Sequence, residues 1–574
     1  MLGRYPIDPL EAIAMLVNCV VPVEPSWTEQ QATLFFNVRL PRILLALMVG
    51  CCLSVAGAAY QGTFQNPLVS PDILGASQGA AFGAAVAILA GFTAGMVSVS
   101  AFAFALLTVL LVLLISARAK GNHMMVVVLA GVMVSSLFQA GVSYAKLIAD
   151  PTDELADITY WLMGSLTGAK MTQVTMIFPI LLVGCIVLFA LRWRINILTM
   201  GDDEASTMGV NARLIRIIVI IAATFVTAAC VCVTGMIGWG GLFISPLCRM
   251  PIGNPRLDAH GCRIPPRRRR HRPTCHDGGN PHRNPHGFRR RPLLPLSHHE
   301  KEEAMSILVE NLDFSYGNHQ ILHGLSFEIP DGMLVNVLGP NGVGKSTLFR
   351  CILGLNQNYS GTVMVNGKDI KSLSIRERAR EISYIPQTHA PVYDYEVVDV
   401  VLMATGSDLK MLSNPGPEQQ KRAYDALDRI GIADFAHRMY TQISGGEQQL
   451  VLIARALAQN ARTIVMDEPT SALDYGNTVR VLSCVRQLAQ EGLSIIQSTH
   501  NPDHAFLYSD RTLVLKDGRI DAYGPPHDVI TSELISGLYS VDVEVNSLYG
   551  DRVRVCVPRS EVETQQERMN HETR

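Results

Sequence analysis

Residues 339–347 run Gly339, Pro340, Asn341, Gly342, Val343, Gly344, Lys345, Ser346, Thr347, which satisfies the spacing G-x-x-x-x-G-K-[ST]. In such a run, successive backbone N–H groups turn inward and hold the phosphates of a nucleotide. A Cβ at the glycines would block that approach. Lys345 would reach the β- and γ-phosphates, and Ser346 would give an oxygen to Mg²⁺. A helix from about Thr347 would add the positive end of its dipole. A second group, Thr463-Ile-Val-Met-Asp467-Glu468, is an apolar stretch ending in two carboxylates. Asp467 would hold Mg²⁺ through water, and Glu468 would polarise an attacking water as general base. The chemistry these residues could do together is hydrolysis of a nucleoside triphosphate.

Such residues need strands that end where the phosphates lie. Leu334–Leu338 reads as the buried strand before the phosphate loop, and Thr463–Met466 as the strand before the acids. Around them the chain is divided. Its 574 residues suggest two or three domains. Mean hydropathy is +0.22, and the apolar residues are unevenly spread. Charge-free runs cover 43–71, 73–117, 121–145, 171–191 and 217–248, each long enough to cross a bilayer. After residue 305 such runs vanish. The expectation is a multi-domain chain: an all-α polytopic membrane bundle followed by an α/β ATPase with a helical subdomain. The net charge of −2 gives no case for nucleic acid. Twelve cysteines without a C-x-x-C pair read as buried thiols. No signal peptide follows Met1.

Spanning helices are expected near 42–61, 74–92, 96–116, 124–146, 172–191 and 215–236. Their many small residues predict close helix packing. Arg118, Lys120, Arg192, Arg194, Arg213 and Arg216 flank two loops that should face the cytoplasm. The acidic stretch 147–171 would be an outer loop, with Arg39 and Arg42 a local exception. The stretch 201–216 would be cytoplasmic and could form a short helix along the membrane.

The soluble half resembles an ATP-binding cassette over 305–556, with a fresh start at Met305. The resemblance places Tyr316 against adenine and makes Gln387, in Tyr384-Ile-Pro-Gln387, the glutamine that senses Mg²⁺. Ile443-Ser444-Gly445-Gly446-Glu447-Gln-Gln449 resembles the signature L-S-G-G-Q-x-Q, with Ile for Leu and Glu for Gln. In that family the signature serves the nucleotide of a partner cassette, so function implies a dimer. Asp474, in Pro469-Thr-Ser-Ala-Leu-Asp474, falls in the loop that meets the partner. His500 matches the histidine that contacts the γ-phosphate.

The membrane half resembles, from residue 3 to about 248, the permeases that import iron-siderophores, haem and cobalamin. The resemblance rests on Arg39-Leu-Pro-Arg-Ile-Leu-Leu-Ala, Gln61-Gly-Thr-Phe-Gln-Asn-Pro-Leu, Pro71-Asp-Ile-Leu-Gly-Ala-Ser-Gln-Gly-Ala, Tyr160-Trp-Leu-Met-Gly-Ser and Gly238-Trp-Gly-Gly-Leu-Phe-Ile-Ser-Pro. It implies that 201–216, with Gly201, Glu204, Ala205 and Gly209, is the coupling element that docks on the ATPase. Family members have ten helices. Here the segment before Gly3 and the last three helices have no counterpart, so Met1 reads as an internal start.

Residues 249–304 hold Pro265-Pro-Arg-Arg-Arg-Arg-His-Arg-Pro273 and seven of the sixteen histidines. A metal- or nucleic-acid-binding arm and a basic linker are two readings. The preferred one is coding DNA read in the wrong frame. Shifted by one base, 279–300 accommodates a sequence that resembles the end of these permeases. Parity agrees: six helices starting outside leave residue 248 outside, and the Arg-rich stretch cannot cross lipid.

The expected organisation is thus a truncated permease at 1–248, an out-of-frame junction at 249–304, an ATPase at 305–558 and a disordered tail at 559–574. The expected function is ATP-driven import of an iron chelate, haem or cobalamin across the cytoplasmic membrane, with the ATPase in the cytoplasm. ATP and Mg²⁺ are the cofactors, paired cassettes and permeases the assembly, and an extracytoplasmic substrate-binding protein the further partner. The alternatives are a frameshifted fusion competent only in its ATPase, and an exporter half-transporter.

Overall fold

The computed structural model describes residues 7–19, 21–22, 24, 26–119, 123–237, 305–387, 393–551 and 553–559. The Gly238 motif, the Arg-rich junction and the tail beyond 559 lie outside these residues. The chain forms two compact units, Met1–Thr199 with Arg213–Pro265, and Met200–Ala212 with Pro266–Arg574. This departs from the division at residue 248 in one segment: residues 200–212 fold with the ATPase, for reasons given below.

The first unit is helical. It contains α1 (Pro9–Asn18), α2 (Glu29–Thr63), α3 (Ala76–Leu89), α4 (Ala94–Arg118), α5 (His123–Ile148), α6 (Glu154–Met163), α7 (Met171–Ala190) and α8 (Arg192–Leu198). After α9 (Asp202–Thr207), which belongs to the second unit, comes α10 (Ala212–Thr234). Five of these, α2, α4, α5, α7 and α10, are long and apolar enough to cross a membrane.

The expected sixth crossing, 74–92, is corrected. It folds as the 14-residue α3, whose rise of about 21 Å falls short of a ~30 Å hydrocarbon core. A 3-10 turn at Pro71–Leu74 precedes it, and Gly75 at φ +79° breaks the helix. Only glycine suits Gly75, because an added Cβ would meet Ser135 Oγ at 2.5 Å. Without a crossing at 74–92, the count of six that placed residue 248 outside does not hold among the described residues. Dense small residues do bring helices together: a Cβ on Gly79 would meet Thr108 Oγ1 at 1.9 Å, and one on Gly83 would meet Phe104 Cβ at 2.7 Å. The stretch 147–171 is not simply a loop, since it holds α6.

The second unit is α/β. Strands β1 (Met305–Tyr316), β2 (His319–Pro330), β3 (Leu334–Leu338), β4 (Ser360–Val365), β5 (Lys368–Asp369), β6 (Ile382–Ile385), β7 (Thr463–Met466), β8 (Ser494–Thr499), β9 (Arg511–Lys516) and β10 (Arg519–Gly524) make two sheets. Their orders are β2-β1-β4-β5 and β10-β9-β3-β8-β7-β6. A hairpin of β11 (Val543–Leu548) and β12 (Val553–Pro558) follows.

In the larger sheet, β9, β3, β8, β7 and β6 run parallel. All residues of β3 and β7 are buried, as expected of strands covered on both faces. Helices in this unit are α11 (Lys345–Ile352), α12 (Ile375–Glu381), α13 (Val397–Met403), α14 (Pro417–Ile430), α15 (Gly445–Ala458), α16 (Tyr475–Gln490), α17 (Pro502–Tyr508), α18 (Pro526–Val529) and α19 (Ser532–Tyr539). Helices α13, α14 and α15 pack on one another as a helical subdomain. Register pairs Leu338 with Thr499 and Met466 with Gln497. The segments after β3, β7 and β8 therefore leave the sheet at one edge, where parallel sheets bind ligands.

Candidate nucleotide site

The loop after β3 bends as the glycine spacing predicts. Gly344 sits at φ +109° as the N-cap of α11, and a Cβ there would meet Leu322 Cδ2 at 2.9 Å. Helix α11 starts at Lys345 rather than Thr347, so the loop lysine is its first residue. Lys345 is only 5% exposed. Its Nζ donates to Gly339 O at 2.6 Å and to Pro340 O at 3.2 Å, and it lies 3.5 Å from Glu468 Oε1. Burial holds its pKa below the ordinary lysine value, while Glu468 and Asp467 pull the other way. Ser346 is exposed.

Glu468 is the meeting point. Gln387 Nε2 donates to its Oε2 at 2.9 Å, and His500 Nδ1 stands 3.8 Å from that oxygen. The structure thus gathers Lys345, Gln387, Glu468 and His500, drawn from four separate stretches of sequence. Glu468 adopts φ +45°, a conformation that costs a non-glycine residue ~1–3 kcal/mol and that clusters at functional sites. Ser498 on β8 secures both acids: its Oγ donates to Asp467 Oδ1 at 2.7 Å and accepts from Glu468 N at 2.8 Å. The sequence reading passed over Ser498. Its place just before the end of a strand beside the acid-bearing one was the available signal.

Tyr316, half exposed at the end of β1, lies edge-on to Phe314 and accepts from Asn356 Nδ2 at 3.1 Å. The remaining sites lie apart from the phosphate loop. Ser444 caps α15. Its N–H and its hydroxyl each donate to Glu447 Oε2 at 2.8 Å, while Glu447 N donates back to Ser444 Oγ at 3.4 Å. These bonds to backbone and hydroxyl hold the Glu447 carboxyl below its ordinary pKa. Gly445 is exposed and Gly446 buried. A Cβ on Gly446 would meet Asn477 Cγ at 2.3 Å. Asp474 holds that asparagine, accepting from its N at 2.8 Å and its Nδ2 at 2.9 Å, and so caps α16. Among the described residues no hydrogen bond or ion pair joins Ser444 or Glu447 to residues 339–347.

The expected coupling element is α9, and it packs on α12 and β6 of the ATPase. Glu204 Oε2 pairs with Arg455 Nη1 at 2.5 Å, and both side chains are largely buried. Asp203 pairs with Arg350. Gln459 Nε2 donates to Thr207 O at 2.8 Å. Ala205 is fully buried. Gly201 lies at φ +114° and Gly209 at φ +83°, where a Cβ would meet Ser407 Cα at 2.9 Å. These contacts explain why residues 200–212 fold with the second unit. Arg350, Arg455, Gln459 and Ser407 were not legible as site residues, because nothing in their own neighbourhood distinguishes them from helix-surface residues.

A phosphate loop at the end of β3, facing two acids at the end of β7, defines a nucleotide-hydrolysing cassette. The comparisons agree. Residues 322–471 match the ABC transporter family and residues 1–259 the FecCD transport family. An ABC transporter ATP-binding protein of Haemophilus influenzae is 36% identical over 245 residues, 43% of this chain and 93% of that protein. An iron chelatin transport ATP-binding protein of Helicobacter pylori is 33% identical over 242 residues, 42% of this chain and 95% of that protein. The molybdate import system permease protein MolB of Haemophilus influenzae is 36% identical over 252 residues, 44% of this chain and 74% of that protein. The chain belongs to the ABC transporter family and joins a FecCD permease region to an ATPase that hydrolyses ATP. It is a membrane protein.

Proposed function

We propose that the chain imports a metal chelate or a cobalamin-like compound across the cytoplasmic membrane, driven by ATP at a cassette on the cytoplasmic side. The observation that carries this is the convergence on Glu468 within the same compact unit that holds α9. Two cassettes would pair, each phosphate loop facing the other's Ser444–Glu447. ATP phosphates would draw Lys345 from Glu468, and Glu468 would then accept a proton from the attacking water. His500 would contact the γ-phosphate and Tyr316 the adenine. Asp474 would reach the partner from the start of α16. Motion would pass through Glu204, Ala205 and the glycines 201 and 209 to the permease. A binding protein outside the membrane would deliver the substrate.

The hydroxyl of Ser346, the amide oxygen of Gln387 and the carboxylate of Asp467 are hard oxygen donors that suit Mg²⁺. Mg²⁺, when bound, neutralises charge on the phosphates.

The relatives' names span iron chelatin and molybdate, so the substrate needs a direct test. Uptake in cells starved of iron chelate, haem, cobalamin or molybdate in turn, with Glu468→Gln as the control, identifies it. Rescue by none of these overturns the import reading. The FecCD match argues against an exporter.

A second reading concerns residues 249–304. The permease match takes in 74% of MolB, leaving part of that protein without a counterpart. This favours a shifted reading frame across the junction, with permease and ATPase encoded as two chains. Resequencing the DNA decides it, and an unbroken frame refutes it.

A further inference from the structure

Helix α9 carries two adjacent acids, and the structure gives each a different arginine. Asp203 pairs with Arg350 on α11, the helix whose first residue is Lys345. Glu204 pairs with Arg455 on α15, the helix capped by Ser444. Adjacent residues point about 100° apart around a helix, so one short element can reach two partners. Arg350 lies about 7.5 Å along its helix from Lys345, and Arg455 about 16 Å along its helix from Ser444. A single six-residue helix thus grips both phosphate-facing helices of one cassette.

The two grips differ. Glu204 and Arg455 are 10% and 4% exposed, and Gln459, the residue that caps the C-terminal end of α15, adds a bond to Thr207 O. Both charges of this pair are buried, so separating them would cost more than separating an exposed pair, and this contact should persist through the cycle. Asp203 and Arg350 are 48% and 37% exposed, where water replaces a lost partner at small cost.

We infer that Asp203 and Glu204 tie the two nucleotide half-sites of one cassette together, permanently at the signature helix and releasably at the phosphate-loop helix. The tie rests on the reading of α9 as the coupling element. Occupancy of a cassette's own phosphate loop is passed through Arg350 and Asp203 to α9, then through Glu204 and Arg455 to the helix that serves the partner's nucleotide. Asp203 and Glu204 act as positioning residues.

The test uses the full chain in lipid nanodiscs. ADP, lacking the γ-phosphate that would engage a partner signature, is added while amide exchange is followed at 339–347 and 444–448. In the unsubstituted chain, exchange slows at both segments. The change at 444–448 is about 2- to 5-fold, the most that one half-exposed ion pair can carry. Asp203→Asn keeps protection at 339–347 and loses it at 444–448. Exchanging the charges, Asp203→Arg with Arg350→Asp, restores it. The double variant Glu204→Gln with Arg455→Met, which removes both buried charges, also loses it. Protection at 444–448 that survives Asp203→Asn, or that is missing from the unsubstituted chain while 339–347 is protected, overturns the tie and leaves the nucleotide site standing. No protection at 339–347 overturns the nucleotide site and the tie with it.

Discussion

Lys345 Nζ stands 3.5 Å from Glu468 Oε1, and both side chains are nearly buried. The cation expected to meet phosphate is therefore balanced by the acid expected to activate water. Phosphate must take over the lysine before Glu468 is released to act. Lys345→Ala should weaken ATP binding by ~1.5–3 kcal/mol, the worth of a charge-assisted hydrogen bond, or about 10- to 150-fold in Kd. Calorimetric titration of the full chain with ATP checks this. An unchanged Kd would remove Lys345 from the site.

His500 reaches toward the same carboxylate from the end of β8, at 3.8 Å. Its side chain is half exposed, and contact with a phosphate is its proposed role. His500→Ala should lower kcat by about 100- to 1,000-fold, as for loss of one donor to charge developing on the transferred phosphate, and move KM little. A variant whose KM rises while kcat holds would assign His500 to ground-state binding instead.

Ser444 and Glu447 form a reciprocal cap at the start of α15. Ser444→Ala should cost ~0.5–2 kcal/mol, read as faster amide exchange at 445–448. Glu447→Gln keeps the capping box but loses the charge, so exchange there should rise slightly at neutral pH. The folded pKa of Glu447 is depressed. Its contribution is therefore present above the unfolded carboxylate value and fades as pH falls through the folded one. Acid-dependent fraying of 445–448 should be present with Glu447 and absent with Gln. Equal fraying in both would place the titrating group elsewhere.

Gly209 combines φ +83° with Ser407 Cα at 2.9 Å from an added Cβ. Gly209→Val should strain the backbone by ~1–3 kcal/mol and lift α9 from the cassette. Gly201→Ala, at φ +114° with nothing within 4 Å of its Cβ, meets only the backbone term. Amide exchange across 202–207 should rise more in the first variant than in the second. The reverse order would argue against the close approach at Ser407.

Much of the cassette was legible because local rules and fold agree there. The unbroken apolar runs at 334–338 and 463–466 are the parallel strands, and the glycine spacing set the loop. The helical membrane half was legible from charge-free runs, but α3 was overdrawn. Length and hydropathy could not show that Gly75 takes a left-handed conformation against Ser135. Helix α1 was missed although Asp8 and Glu11 form a capping box with Pro9 at its first position, a signal shorter than the windows used to find membrane spans. The pairing of Asp203 and Glu204 with Arg350 and Arg455 had no sequence signal. Contacts made across 147 and 251 residues are set by tertiary packing rather than by any local pattern.

The account stands on Glu468 as the base of an ATPase, and phosphate release tests it most directly. Purified full chain in lipid nanodiscs with Mg²⁺ and saturating ATP is compared with its Glu468→Gln variant, which keeps the side-chain shape and removes the charge. The account expects turnover in the unsubstituted chain and a fall of about 100- to 10,000-fold in the variant, as for loss of a general base, with ATP still bound. Phosphate release by Glu468→Gln at the unsubstituted rate would contradict it.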